Sequence, residues 1–310
     1  MQQKKKVFAA VTIAVLAMAG TASAMPTGFG DWSDAIRVEN IPGTDESFNG
    51  PSLDGCPFIS RDDKTFYMAS NREGGLGGID IWVSTRSNVG EPWGAPVNVG
   101  APVNSTSNDF CPTISRDGHA FFFVSSRPGG CGGDDIYTAR LRNATGFEDV
   151  ANVGCAVNSD GNEASPSPLP QSGTGRVLYF SSTGHDGGVD GPDIFMSDWK
   201  GGSYGAPVAV PGVNSASIDA HPNVRRDGLE LMFFSNRAGG IGGNDIWSAS
   251  RASTSDPFDA PVNLGPAVNS VASETRPSLS WDGTTLYFGS NRAGGEGDSD
   301  HYVSTRPVGG

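Results

Sequence analysis

The chain is organised by a short apolar run followed, after a glycine-rich break, by an aspartate and an apolar pair. Leu231-Met232-Phe233-Phe234 precedes Asp245-Ile246-Trp247, Phe121-Phe122-Phe123 precedes Asp135-Ile136-Tyr137, and Leu178-Tyr179-Phe180 precedes Asp193-Ile194-Phe195. The same order holds at Asp80-Ile81-Trp82, and at Leu286-Tyr287-Phe288 ahead of Asp300-His301-Tyr302, where histidine replaces the isoleucine. The five aspartates are 55, 58, 52 and 55 residues apart. Pro57, Pro112, Pro166, Pro222 and Pro277 keep the same spacing, so the repeat belongs to the chain and not to one motif. Asp117-Gly118, Asp227-Gly228 and Asp282-Gly283, with Asp62-Asp63 as a variant, separate two apolar runs in four of the five units, which is the strongest short signal for a hairpin. Each unit therefore predicts four short strands, the last around segments such as Ala260-Pro261-Val262-Asn263-Leu264. The second strand is apolar with little alternation, so both of its faces require cover.

A four-stranded unit of this size cannot bury both faces alone, and repeats of this period stack around an axis into a propeller. The fifth unit ends at Tyr302-Val303-Ser304-Thr305 without a fourth strand, while Phe29 to Ile36 is similar to the fourth-strand segments Trp93-Gly94-Ala95-Pro96-Val97 and Tyr204-Gly205-Ala206-Pro207-Val208. The predicted fold is all-β: a five-bladed β-propeller of four-stranded blades, closed by an N-terminal velcro strand at 29–38. Expected blade limits are 49–103, 104–157, 158–213, 214–268 and 269–306, within a single domain spanning 25–310.

Ser70-Asn71-Arg72-Glu73-Gly74-Gly75, Ser235-Asn236-Arg237-Ala238-Gly239-Gly240 and the Ser115-Arg116-Asp117-Gly118 turn resemble the WD40-like propeller repeat called PD40, as in TolB-type propellers. The likeness covers roughly residues 29–306. It implies a propeller fold but not a function, since members of that family serve as periplasmic interaction platforms of varied kinds. Five units in place of the six of TolB, and no separate α/β domain, argue against a Tol-system role.

Charge and cysteine narrow the setting. Lys4-Lys5-Lys6, an apolar run from Val7 to Ala19 and Ala22-Ser23-Ala24 have the form of a secretory signal peptide over residues 1–24, so a periplasmic or secreted protein is expected. Of the 21 Lys and Arg, those three lysines leave 18 against 34 Asp and Glu, a formal charge of −16. Such a surface repels phosphate backbones, which argues against nucleic acid as a partner. No second long apolar run offers a membrane span. Cys56, Cys111, Cys131 and Cys155 form an even set in an exported chain, and two disulfides are expected, with three connectivities open. Blade phase favours Cys56 with Cys111, in the same position of adjacent blades, and Cys131 with Cys155.

Candidate chemistry follows from what repeats and what does not. Asn49, Asn104, Asn158, Asn214 and Asn269 each precede by five residues an acid, Asp54, Asp109, Glu163, Asp219 or Glu274. Five equivalent acids predict a ring near one channel entrance. Arg72, Arg127, Arg237 and Arg292 recur in one phase, so a structural role, with arginine pairing, is expected for the ring. Blade three has Thr183-Gly184 instead of that arginine, which leaves Glu163 without its partner. Its longer loop adds His185, Asp186 and Asp190. The residue before each blade's proline also varies: Cys56, Cys111, Ser165, His221 and Arg276. Glu163, His185, Asp186, Asp190, His221 and Arg276 are thus candidate ligand-binding residues, and Glu163, Asp186 and Asp190 could hold Ca²⁺.

No phosphate loop is present, and the glycine runs precede no helix. The function expected from this reading is a monomeric binding or scaffolding module for exported protein or polysaccharide partners. The alternative is a glycoside-acting enzyme that uses acids at the mouth of the central channel.

Overall fold

The computed structural model describes residues 28–170, 176–186 and 191–309. The expected signal peptide and Asp190 lie outside them. Five antiparallel sheets follow one another along the chain. In the first, strands Asp54–Ile59, Thr65–Ser70, Asp80–Thr85 and Val97–Asn98 pair in that order. The second repeats the pattern with longer outer strands, Asp135–Asn143 and Gly146–Asn152, and the third completes itself with two short pieces, Ser203–Tyr204 and Val208–Ala209. In the fifth, strands Glu274–Leu279, Thr285–Ser290 and Asp300–Thr305 take their fourth partner from the other end of the chain. Ile36–Arg37 pairs with Asp300–Thr305, placing Ile36 opposite Val303. The propeller and its closure are as the repeat predicts.

The apolar second strands stack between sheets. Phe66 meets Tyr287 of blade five edge-on at 5.1 Å, and Tyr67 meets Phe121 of blade two at 5.3 Å. Polar devices join neighbouring blades as well. Asn104 receives a hydrogen bond from the Ile81 N–H (2.9 Å) and donates to the Ile81 carbonyl (2.8 Å), clipping the third strand of the preceding blade from both sides. Asn158, Asn214 and Asn269 do the same to Ile136, Ile194 and Ile246. Asn49 clips His301 across the closure. The repeated asparagine therefore satisfies buried backbone groups that would otherwise be orphaned.

In blades one, two, four and five the aspartate opening the third strand caps the preceding glycine loop. Leu76, Cys131 and Glu296 donate their N–H groups to Asp80, Asp135 and Asp300. The loop must also approach the next blade closely. A Cβ at Gly77 would stand 1.9 Å from the Ser107 carbonyl oxygen, and one at Gly297 would stand 2.0 Å from that of Ser52. Both disulfides form in the pairing that blade phase favours, Cys56–Cys111 and Cys131–Cys155.

Deleting residues 28–40 is expected to expose the whole edge of Asp300–Thr305 and uncover the Trp32 and Val38 seats, both buried. An unpaired edge of that kind templates aggregation. Light scattering during refolding checks this: the truncated chain should associate where the full chain does not, and a monomeric truncation with unchanged melting would contradict it.

Candidate functional site

Each inner strand starts at a carboxylate at one end of the channel, and in blades one, two, four and five it leads into a tight turn at the other; the two ends differ in chemistry. At the starting end, Asp54, Asp109, Asp219 and Glu274 are fully buried. Each accepts from the arginine of its own blade: Arg72 at 2.6 Å, Arg127 at 2.7 Å, Arg237, and Arg292 at 3.1 Å. Burial raises the Asp54 carboxyl, against the opposing pull of Arg72. Carboxylates so enclosed and paired offer no face to a substrate.

Glu163, in blade three, lacks the arginine but is still satisfied. The Ser159 N–H (2.8 Å), the Ser159 hydroxyl (2.5 Å) and the Ser182 hydroxyl (2.6 Å) all donate to it. His185 Nε2 lies 4.0 Å away and also contacts the Val157 carbonyl at 2.6 Å. Asp186 is exposed. Among the described residues, Glu163 and Asp186 join no group of three potential metal ligands; the one such group is Cys56, Cys111 and His221, whose ligand atoms lie within 4.8 Å of one another.

His221 and Arg276 sit elsewhere, in the middle of the channel. The first strand of every blade slips register at the residue before its proline, as between Gly55 and Phe58. The side chains there line a cavity of about 30 Å³. His221 hydrogen-bonds with Ser165 and stacks on Phe234 at 5.2 Å. Burial, with Arg276 nearby, holds its pKa well below the usual histidine value, so the ring is neutral. The five candidate binding residues that are described fall into two places: Glu163, His185 and Asp186 at the starting end, His221 and Arg276 in the lumen.

The turn end carries a cup of about 460 Å³ that sequence reasoning missed. Its floor shares Phe58, Thr113 and Asn223 with the central cavity. The turns place Arg61, Arg116, Arg226 and Trp281 in the same phase of blades one, two, four and five. Ring geometry turns that phase into convergence, with the guanidinium carbons 4.8, 5.9 and 5.9 Å from the Trp281 ring. Among the described residues none of the three arginines forms an ion pair. Burial lowers Arg116 to about 10, which leaves it charged at neutral pH. Asp62 and Asp117 also line the cup. Asp117 accepts from the Ser115 hydroxyl at 2.5 Å, which holds its carboxyl below the ordinary range. Asp62 accepts from the Ser60 hydroxyl at 2.6 Å. The signal in the sequence was the substitution of tryptophan for arginine at one phase of the repeat.

No protein-family model matches the chain, and no curated protein matches it in sequence. Solved structures match its shape. A thermostable family-43 glycoside hydrolase aligns with TM-score 0.58 at 14% identity, over 86% of this chain and 92% of that one. The α-L-arabinofuranosidase PaAbf62A from Podospora anserina, in complex with cellotriose, aligns with TM-score 0.59 at 12% identity, over 91% and 98%. An endo-arabinase from Bacteroides thetaiotaomicron aligns with TM-score 0.56 at 17% identity, over 84% and 98%. At such identities the likeness establishes the fold class, a five-bladed propeller. It also corrects two expectations. These propellers are glycoside hydrolases, not PD40 or TolB-type repeats, and they speak against the binding or scaffolding role expected from the sequence.

Proposed function

We propose that the protein is an exported enzyme acting on glycosides, with the cup at the turn end of the channel as its site and an acidic glycan as its substrate. One observation carries the reading: an aromatic platform, Trp281, is ringed by three guanidiniums without carboxylate partners and flanked by two carboxylates at the channel mouth. An indole face is apolar and suits the C–H face of a sugar ring, while free guanidiniums favour carboxylate substituents on the sugar. Glycoside hydrolysis needs one carboxylic acid to protonate the leaving oxygen and one carboxylate to act at the anomeric carbon or on water. Asp117, kept ionised by Ser115, fits the second role. Asp62 would supply the proton. The two disulfides, together with the absence of any membrane-length apolar helix among the described residues, are compatible with a periplasmic or secreted setting. The sequence supports it further with its signal-like start.

The test is release of reducing ends from a panel of neutral arabinan and xylan against glucuronoxylan and polygalacturonate. Activity is expected on an acidic member. Asp117→Asn should lower turnover by about 10²–10⁴-fold, the range for loss of an acid–base group. Trp281→Ala should chiefly raise KM. No hydrolysis of any member, together with glycan binding unchanged by Trp281→Ala, would sink the proposal.

A further inference from the structure

We propose that the centre of the channel is a site for one small monovalent anion of halide size, held by the Arg276 guanidinium beside Ser165 and His221. The first support is backbone geometry. Cys56, Cys111, Ser165, His221 and Arg276 have φ values of 48, 49, 48, 56 and 56°, in the left-handed region. A non-glycine residue in that region is strained, and strain of this kind persists where surrounding structure enforces it, often at ligand sites. Here it is enforced in all five blades, and it turns five side chains towards one axis.

The second support is the inventory of those side chains. Cys56 and Cys111 are joined and form a neutral wall. Ser165 and His221 bond to each other, and His221 is neutral. Arg276 alone brings a charge. Its guanidinium extends to blade one, with one terminal nitrogen 3.3 Å from where a Cβ on Gly55 would stand. The other blades have Phe110, Ala164, Ala220 and Thr275 in that phase, so the glycine makes the niche the guanidinium fills. Among the described residues, Arg276 has no hydrogen-bonded acceptor and no carboxylate partner. Four ring acids that might have neutralised it already hold Arg72, Arg127, Arg237 and Arg292. A guanidinium partly removed from water without a counter-charge is costly, and an anion offsets that cost.

Size and access fix the kind of anion. One water needs about 10–15 Å³, so a cavity of about 30 Å³ takes two waters or one halide and excludes a sugar. Entry is from the cup, which shares Phe58, Thr113 and Asn223 with the cavity and whose three arginines favour anions there. A cation at Cys56, Cys111 and His221 is opposed by the Arg276 charge and by the disulfide, which removes both thiolates. The inference does not depend on the glycoside reading, because the cavity and the cup are separate sites.

Crystals soaked in sodium bromide should show an anomalous peak in the channel at the Arg276 guanidinium. In solution, melting temperature should rise with bromide at constant ionic strength held by gluconate, as mass action on the folded state requires. Arg276→Gln should abolish the rise. Arg276→Lys, which keeps the charge but not the fork, should need about ten-fold more bromide, equivalent to about 1.4 kcal/mol. The wild-type anomalous experiment stands even if a variant fails to fold. Bromide peaks elsewhere with none in the channel would overturn the proposal, as would an equal bromide response in folded Arg276→Gln. So would zinc, not bromide, occupying the site in the protein with its Cys56–Cys111 disulfide intact.

Discussion

Replacing Glu230 with glutamine is expected to cost about 3–5 kcal/mol of folding stability, the usual penalty for breaking one side of a buried ion pair. Glu230 is 1% exposed and stands at the start of the second strand of blade four. Arg306, beyond the last strand of blade five, clasps it with two nitrogens at 2.9 and 2.6 Å, and Arg225 adds a third contact at 2.7 Å. The Arg306 guanidinium in turn lies 3.9 Å from the Phe29 ring centre and 4.5 Å from that of Trp32. One carboxylate therefore fastens blade four to blade five and to the N-terminal segment that closes the ring. Glutamine keeps the shape but leaves the Arg306 guanidinium buried against a neutral group, while Arg225 keeps Asp227. Urea denaturation measures the loss. Glu148→Gln is the control, because that carboxylate meets Arg140 and Arg142 on an exposed hairpin, where ion pairs contribute little. If the two variants unfold at the same midpoint, Glu230 is not the fastening described here.

His301→Ile is expected to stabilise the protein by about 1–3 kcal/mol near neutral pH, the cost of leaving buried polar atoms unsatisfied. The other four blades carry isoleucine at this position, Ile81, Ile136, Ile194 and Ile246. His301 is fully buried, neither ring nitrogen has a hydrogen-bond partner among the described residues, and its ring packs edge-on to Phe66 at 5.3 Å. Desolvation, with Arg72 and Arg276 as lesser causes, lowers its pKa from 6.5 to about 3. The unfolded chain therefore binds a proton below pH 6.5 that the folded chain refuses until about pH 3. Stability from this residue is intact above pH 6.5, falls as pH drops through that window, and stops falling below it. His221, also lowered, adds a loss of the same sign. The stability gap between His301→Ile and wild type should widen steadily from pH 6.5 to pH 4 in denaturant titrations. A gap that stays constant over that range would show that the buried imidazole is not the acid-sensitive element.

The sequence by itself determined what depends on local chemistry. Turn residues such as Asp117-Gly118 and apolar runs such as Phe121-Phe122-Phe123 act over a few neighbours, so strands, blade count and the missing fourth strand of blade five were legible. The Cys56–Cys111 pairing was legible as well, because equal phase in adjacent blades means equal height and radius. What only the tertiary structure decided is where phase becomes contact. Glu163 looked unpartnered because its arginine is absent, yet Ser159 and Ser182 satisfy it through hydroxyls that carry no charge signal in sequence. Asn104 reaches back 23 residues to clip Ile81, a bond that exists only once two blades stack. The register slip that swings His221 and Arg276 into the lumen is a backbone event that no residue type announces. Arg61, Arg116, Arg226 and Trp281 are spread through the chain, and they meet because closing the ring carries turns of equal phase to one mouth. A repeat fixes the angle and height of each side chain. Only closure sets how near to the axis it stands, and that distance made the cup and the channel.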